Sequence, residues 1–85
     1  MPEQKVGEVM KFFPKPSVAA IKITEGTLKV GDRIKIKGHT TDFEDLIQSM
    51  QIVNQSVDKA EVGQMIGIKV KDRVREKDIV YKVTD

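Results

Sequence analysis

Apolar and polar residues alternate with period two along much of the chain. Ala19, Ile21 and Ile23 alternate with Val18, Ala20 and Lys22; Ile34 and Ile36 with Lys35 and Lys37; Ile66, Ile68 and Val70 with Gly67, Lys69 and Lys71. Successive side chains of an extended chain point to opposite faces, so the pattern predicts β-strands buried on one side. The runs predict strands near residues 5–12, 17–24, 32–37, 45–54, 64–71 and 78–83. Turn residues separate them: Pro14 and Pro16, Glu25-Gly26, Val30-Gly31-Asp32, the polar stretch Gly38 to Asp42, and Glu76-Lys77-Asp78. Asp58 to Gly63 has room for a helical turn. Between 43 and 54 the apolar residues occupy both parities, so a helix capped by Thr41 or Asp42 is the alternative to a strand there.

Composition strengthens the strand assignment. Valine, isoleucine and threonine supply 25 of 85 residues, while leucine occurs only at Leu28 and Leu46. Six short strands without a crossover helix must be largely antiparallel, and closing them into a small barrel removes the sheet edges. A chain of 85 residues without cysteine holds one small core and no disulfide. It is therefore expected to be one domain, residues 5–85, behind a solvated tail, residues 1–4. With no run of about 20 apolar residues and no leader pattern, the expected location is cytoplasmic, with no membrane partner. Twelve lysines against three arginines, with six glutamates, lean toward a thermophilic source.

Candidate chemistry is sparse. The net charge of +2 is an ordinary solubility charge and leaves room only for a local basic patch. His39 is the single histidine, so no histidine metal cluster can form. Ser17, Ser49 and Ser56 lack a glycine elbow, and Asp42, Glu44 and Asp45 lack the spacing of a calcium loop. Gly26 and Gly31 suit the ends of a tight excursion, with the Asp32 carboxylate accepting backbone N–H groups and Gly63 at a later turn. No Gly-Lys-Ser/Thr follows to cradle a phosphate. The expectation is a non-catalytic binding module that takes no nucleotide, cofactor or metal.

Two surface features can support binding. In Lys11-Phe12-Phe13-Pro14-Lys15-Pro16 the adjacent rings must point to opposite faces of a strand, leaving one near the surface or folded over the end of the core. The second is the alternating series Lys69, Lys71, Arg73, Arg75 and Lys77. Strict alternation would bury Asp72, so a turn or bulge is expected near it. A contiguous basic face would suit RNA phosphates, whereas an exposed ring would suit a protein partner or a homodimer.

The segment Ile23 to Gly38, with its strand, glycine turn and Gly31-Asp32 pair, resembles the signature of domain 2 of the translation GTPases, the elongation factor Tu and initiation factor 2 type. Val57 to Ile68 is similar to a later segment of that domain, and Val74 to Val80 resembles its final turn and strand; together the matches span about residues 6 to 83. The resemblance implies a small, closed, six-stranded antiparallel Greek-key barrel and an association with RNA or the ribosome. The stretch Phe12 to Ile23 corresponds to the element that receives the aminoacyl end of transfer RNA. Here Pro14-Lys15-Pro16 and Ala20-Ile21 replace the glycines that permit close backbone approach. The G domain has no counterpart in the chain, and barrels of this type also occur as accessory domains of peptidases.

Overall fold

In the computed structural model, which describes residues 3–15, 17–53 and 55–83, the alternating runs form β1 (Glu3–Phe13), β2 (Val18–Ile23), β3 (Leu28–Lys29), β4 (Arg33–Lys37), β5 (Asp42–Leu46), β6 (Met50–Ile52), β7 (Gln55–Val57), β8 (Lys59–Ala60), β9 (Met65–Lys69) and β10 (Ile79–Val83). Met1 and Pro2 of the expected tail, Pro16 of the first turn, Asn54 at the end of the expected 45–54 strand, and Thr84 and Asp85 lie outside the described residues. Glu3 and Gln4, also assigned to the tail, are exposed members of β1 that pair with Val83 and Lys82. No helix occurs among the described residues, so none is long and apolar enough to cross a membrane.

Eight strands form one antiparallel sheet in the order β5-β4-β10-β1-β2-β9-β6-β7, and β3 pairs with β8 in a separate ribbon. The chain is thus all-β and antiparallel, as its periodicity predicts. The expected closed six-stranded barrel is corrected: β5 and β7 end the sheet and do not pair with each other. The reason lies in the 43–54 segment, which is neither one long strand nor a helix. The Ile47 N–H bonds the Asp32 carbonyl at 3.0 Å and its carbonyl accepts Gly31 N–H at 2.8 Å, so the chain follows β4 past Leu46 before it leaves and returns at Met50 beside β9. The expected helical turn at 58–63 is instead β8 followed by a turn closed by Gln64 N–H on the Glu61 carbonyl at 3.1 Å.

One face of the sheet builds the core. Ile21, Ile23, Ile34, Ile36, Ile66, Ile68 and Val80 are essentially inaccessible, and the ribbon adds the fully buried Leu28 and Ala60. β1 is the central strand, bonding β10 along its first half and β2 along its second. Its register slips once on each side, leaving Val6 as the extra residue against β10 and Met10 as the extra residue against β2. Bulges of this kind sharpen strand bending and twist, which lets one long strand serve two neighbours.

Candidate functional site

β2 sends Ala19, Ile21 and Ile23 into the core and therefore presents Val18, Ala20 and Lys22 outward. Register carries these positions across three strands. Val18 lies between Phe13 of β1 and Lys69 of β9, Ala20 between Lys11 and Gly67, and Lys22 between Glu8 and Met65. Apart from Lys11, whose ammonium leans over Phe13, the middle row holds little bulk, so the outer face dips into a shallow trough over Ala20 and Gly67, with Phe13 and Val18 on one side and Lys22 and Met65 on the other. Phe13 and Met65 are 42% and 49% exposed. The Lys11 ammonium sits over the Phe13 ring, 5.2 Å from its centroid, which holds both side chains over the face. Phe12, opposite Ala19, points the other way and packs against the core. The two rings thus divide as strand geometry requires.

The basic series does not stay together. Lys69 stands on the outer face of β9, and Val70 is buried with its N–H on the Ser17 carbonyl at 2.9 Å. The chain then bends at Lys71 and an exposed Asp72, where the sequence predicts a break. Lys71 faces a concavity of about 300 Å³ with Arg33, Glu44, Asp45 and Leu46. Arg73 and Arg75 line another of about 400 Å³ with Thr40, Thr41, Asp42, Phe43 and Asp72. Lys77 takes a φ of 74° beside Glu8 and Met10. Lys69 on the β9 face, Lys71, the Arg73–Arg75 pair and Lys77 thus border different places on the surface. Of the residues singled out in the sequence, Lys11, Phe13 and Lys69 converge on one face; Lys71, Arg73 and Arg75 lie elsewhere, and Lys15 is exposed in the β1–β2 turn.

The turn residues have local tasks. Gly26, Gly31 and Gly63 adopt φ values of 66°, 98° and 91°. The Asp32 carboxylate accepts Lys29 N–H at 3.0 Å and pairs with Lys82 at 3.4 Å. His39 is exposed in the β4–β5 loop, and no group of metal-ligating side chains occurs among the described residues.

Three residues that organise these surfaces escape sequence reasoning. Gly7 lets β2 approach β1 closely, because a Cβ there would collide with the Lys22 carbonyl oxygen. Asp45 accepts the backbone N–H groups of Leu46 at 2.8 Å and Lys71 at 3.0 Å, tying the 71–75 segment to β5. Asp78, only 4% exposed, accepts Arg75 N–H at 2.8 Å and fills the space beside Gly38. A lone glycine between Val6 and Glu8 in an alternating run is a recognisable sign of close backbone approach. The two aspartates carry no comparable local sign.

No protein-family model matches the chain. Among curated proteins it is 42% identical over 78 residues to an uncharacterized protease of Methanocaldococcus jannaschii, covering 91% of this chain and 19% of that protein. It is 40% identical over 80 residues to a collagenase of Porphyromonas gingivalis, covering 91% of this chain and 22% of that protein. The chain therefore spans about a fifth of the length of the curated relatives it matches. Among solved structures it superposes on the C-terminal domain of a Geobacillus thermoleovorans protein described as a U32 peptidase. Two crystal structures of that domain give TM-scores of 0.85 and 0.88 at 19% identity, covering 91% and 95% of this chain and 96% and 93% of theirs. These matches overturn the resemblance to translation-factor domain 2, and with it the expected RNA or ribosome association: the curated relatives are a protease and a collagenase, and the solved domain shares the fold.

Proposed function

We propose that this chain is an accessory β-domain of a U32-type peptidase, supplying a docking surface while the chemistry of peptide hydrolysis is carried out by the other four-fifths of such a protein. The observation that carries the reading is 40–42% identity to two proteases across 91% of the chain. The chain's own inventory fits an accessory role: it has no cysteine, and its one histidine lies in an exposed loop. The face of β1, β2 and β9 is the surface best suited to meet the catalytic part. Phe13 and Met65 offer exposed apolar anchors on either side of the Ala20–Gly67 trough, and Lys11, Lys22 and Lys69 frame them with charge. An apolar centre inside a charged rim is the usual anatomy of an interface between folded units.

The test exchanges the matching segment of the Methanocaldococcus jannaschii protease for this chain and follows casein and gelatin hydrolysis. Deleting the segment should lower kcat/KM by roughly tenfold or more, a loss of about 1.4 kcal/mol in transition-state stabilisation. The chimera should recover most of that loss, and a chimera carrying Phe13→Ser and Met65→Ser should not. Hydrolysis by the isolated 85-residue chain, or a deletion that leaves kcat/KM unchanged, would overturn the proposal.

A further inference from the structure

The β5 edge of the sheet has a structure that the accessory role does not use. Among the described residues β5 has a strand neighbour on one side only, namely β4. Gly38 N–H bonds the Thr41 carbonyl at 2.7 Å and Ile47 N–H bonds the Asp32 carbonyl at 3.0 Å, so residues 41, 43, 45 and 47 direct their backbone groups at β4. By the alternation of an antiparallel ladder, Asp42, Glu44 and Leu46 direct theirs at the open edge. The edge is closed at one end, where Asp45 Oδ1 takes the Leu46 N–H at 2.8 Å and Oδ2 takes the Lys71 N–H at 3.0 Å. At the other end it opens into the 400 Å³ concavity, with Phe43 as a half-buried apolar wall and Arg73 and Arg75 on the far side.

Two carboxylates, Asp42 and Asp72, share the concavity with Arg73 and Arg75, so what an anionic occupant could meet is a pair of guanidinium groups not already engaged. Asp42 stands opposite Lys37 and Glu44 opposite Lys35 on β4, although the Lys35 ammonium is also bonded to Glu3 at 3.4 Å. The guanidinium groups of Arg73 and Arg75 form no ion pair among the described residues. The far wall is also preorganised, because the buried Asp78 holds the Arg75 N–H at 2.8 Å.

We propose that this edge binds an extended polypeptide strand that bears a carboxylate, its backbone bonding Asp42 and Glu44 and its carboxylate meeting Arg73 and Arg75. Main-chain bonds at a sheet edge bind extended peptides with little regard to sequence, and paired arginines add a charge requirement. The site lies apart from the β1–β2–β9 face and stands whether or not that face docks on a catalytic region.

The test uses the 85-residue chain and labelled five-residue strand-forming peptides, read by fluorescence anisotropy and by backbone amide shifts. A peptide with a central glutamate and blocked ends should bind saturably and shift the amides of Asp42, Glu44, Arg73 and Arg75. Methylating its edge-facing backbone nitrogens should weaken binding by about tenfold or more, equivalent to about 1.4 kcal/mol. Glutamine in place of the glutamate should do the same, unless a free C-terminal acid is restored, which would identify the terminal carboxylate as the recognised group. Arg73→Gln with Arg75→Gln should abolish the preference for the carboxylate. Glu44→Pro removes one outward N–H at an edge position where proline is tolerated, and should weaken all the peptides equally. The ligand-side methylation decides the matter even if a variant fails to fold. Absence of saturable binding at about 1 mM peptide, an affinity indifferent to methylation, or amide shifts confined to other strands would overturn the proposal.

Discussion

Gly7→Ala should be the most damaging small substitution in the central sheet. Gly7 is buried in β1 and is paired on both sides, with Val80 of β10 and Ile23 of β2. Its backbone is outside the left-handed region, so the demand for glycine is purely steric. An added Cβ would collide with the Lys22 carbonyl oxygen and sit 3.2 Å from both the Lys22 carbonyl carbon and Ile21 Cγ2. A carbonyl within a paired strand cannot rotate aside as a flexible side chain can. Relief requires β1 to separate from β2, which strains the core beneath. Overpacking of this kind costs about 1–3 kcal/mol, and weakening one ladder hydrogen bond adds about 1 kcal/mol. A total near 3 kcal/mol corresponds to a fall in Tm of roughly 12–24 °C for a domain of this size. Thermal melts by circular dichroism, with calorimetry as a check on two-state behaviour, would measure it. Gly63→Ala is the control: its φ is 91° with open space around it, so it should lose only about 1–2 kcal/mol of conformational energy. If Gly7→Ala proves milder than Gly63→Ala, or lies within about 1 kcal/mol of the wild type, the steric argument fails.

Val53, 91% exposed with a φ of 50°, is a β-branched residue in a conformation suited to asparagine or glycine; Val53→Asn should raise stability by about 1 kcal/mol in denaturant titrations. Asp78→Ala should cost about 1–3 kcal/mol by leaving the Arg75 N–H without its acceptor, and hydrogen exchange at Arg75 should accelerate; Asp78→Asn, which keeps a side-chain oxygen, should be milder. The Lys35 ammonium is held above its ordinary pKa of 10.5, chiefly by its hydrogen bond to Glu3, with partial desolvation opposing and the charges of Glu3, Asp42 and Glu44 assisting. A raised lysine pKa stabilises the fold below the unfolded value and loses that contribution as pH rises through the folded one. The Tm gap between wild type and Glu3→Gln should therefore be widest near neutrality and shrink above pH 10.5 in paired melts.

The strands that bury one face cleanly are those the sequence announces. Ile21 and Ile23, Ile34 and Ile36, and Ile66 and Ile68 alternate with polar or small residues, and their strands begin and end within two residues of expectation. Alternation fails in β5 because an edge strand follows different rules. Leu46 is 48% exposed, and Asp45 is half-buried because its carboxylate serves two backbone N–H groups. β3 and β8, two residues each, are too short for any periodicity to register. Sheet closure is invisible locally, since it depends on whether the two end strands β5 and β7 meet, and they do not. Gly26, Gly31 and Gly63 mark where the chain turns with positive φ and carry no information on function, so a resemblance that leans on such turns leads to translation factors. At the surface, strand parity divides Phe12 from Phe13. The break expected near Asp72 already parts Lys69 from Arg73 and Arg75, but parity cannot show that Lys69 would join Phe13, because that depends on the register of β1, β2 and β9.

The direct pairing of Glu3 with Val83 has a mechanical consequence. Tension applied through these two positions pulls apart the open end of the β1–β10 ladder, loading its hydrogen bonds one after another rather than all at once. Unzipping needs far less force than shearing the same bonds in parallel, so resistance to pulling is decoupled from resistance to heat. Stretched from Glu3 and Val83, for instance between optical traps, the domain should yield at low force by peeling β10 from β1 and β4. Stretched between Val18 and Lys69, which are paired at one end of the β2–β9 ladder, it should also unzip; stretched between Val18 and Met65, at opposite ends of that ladder, it should hold until the strands shear.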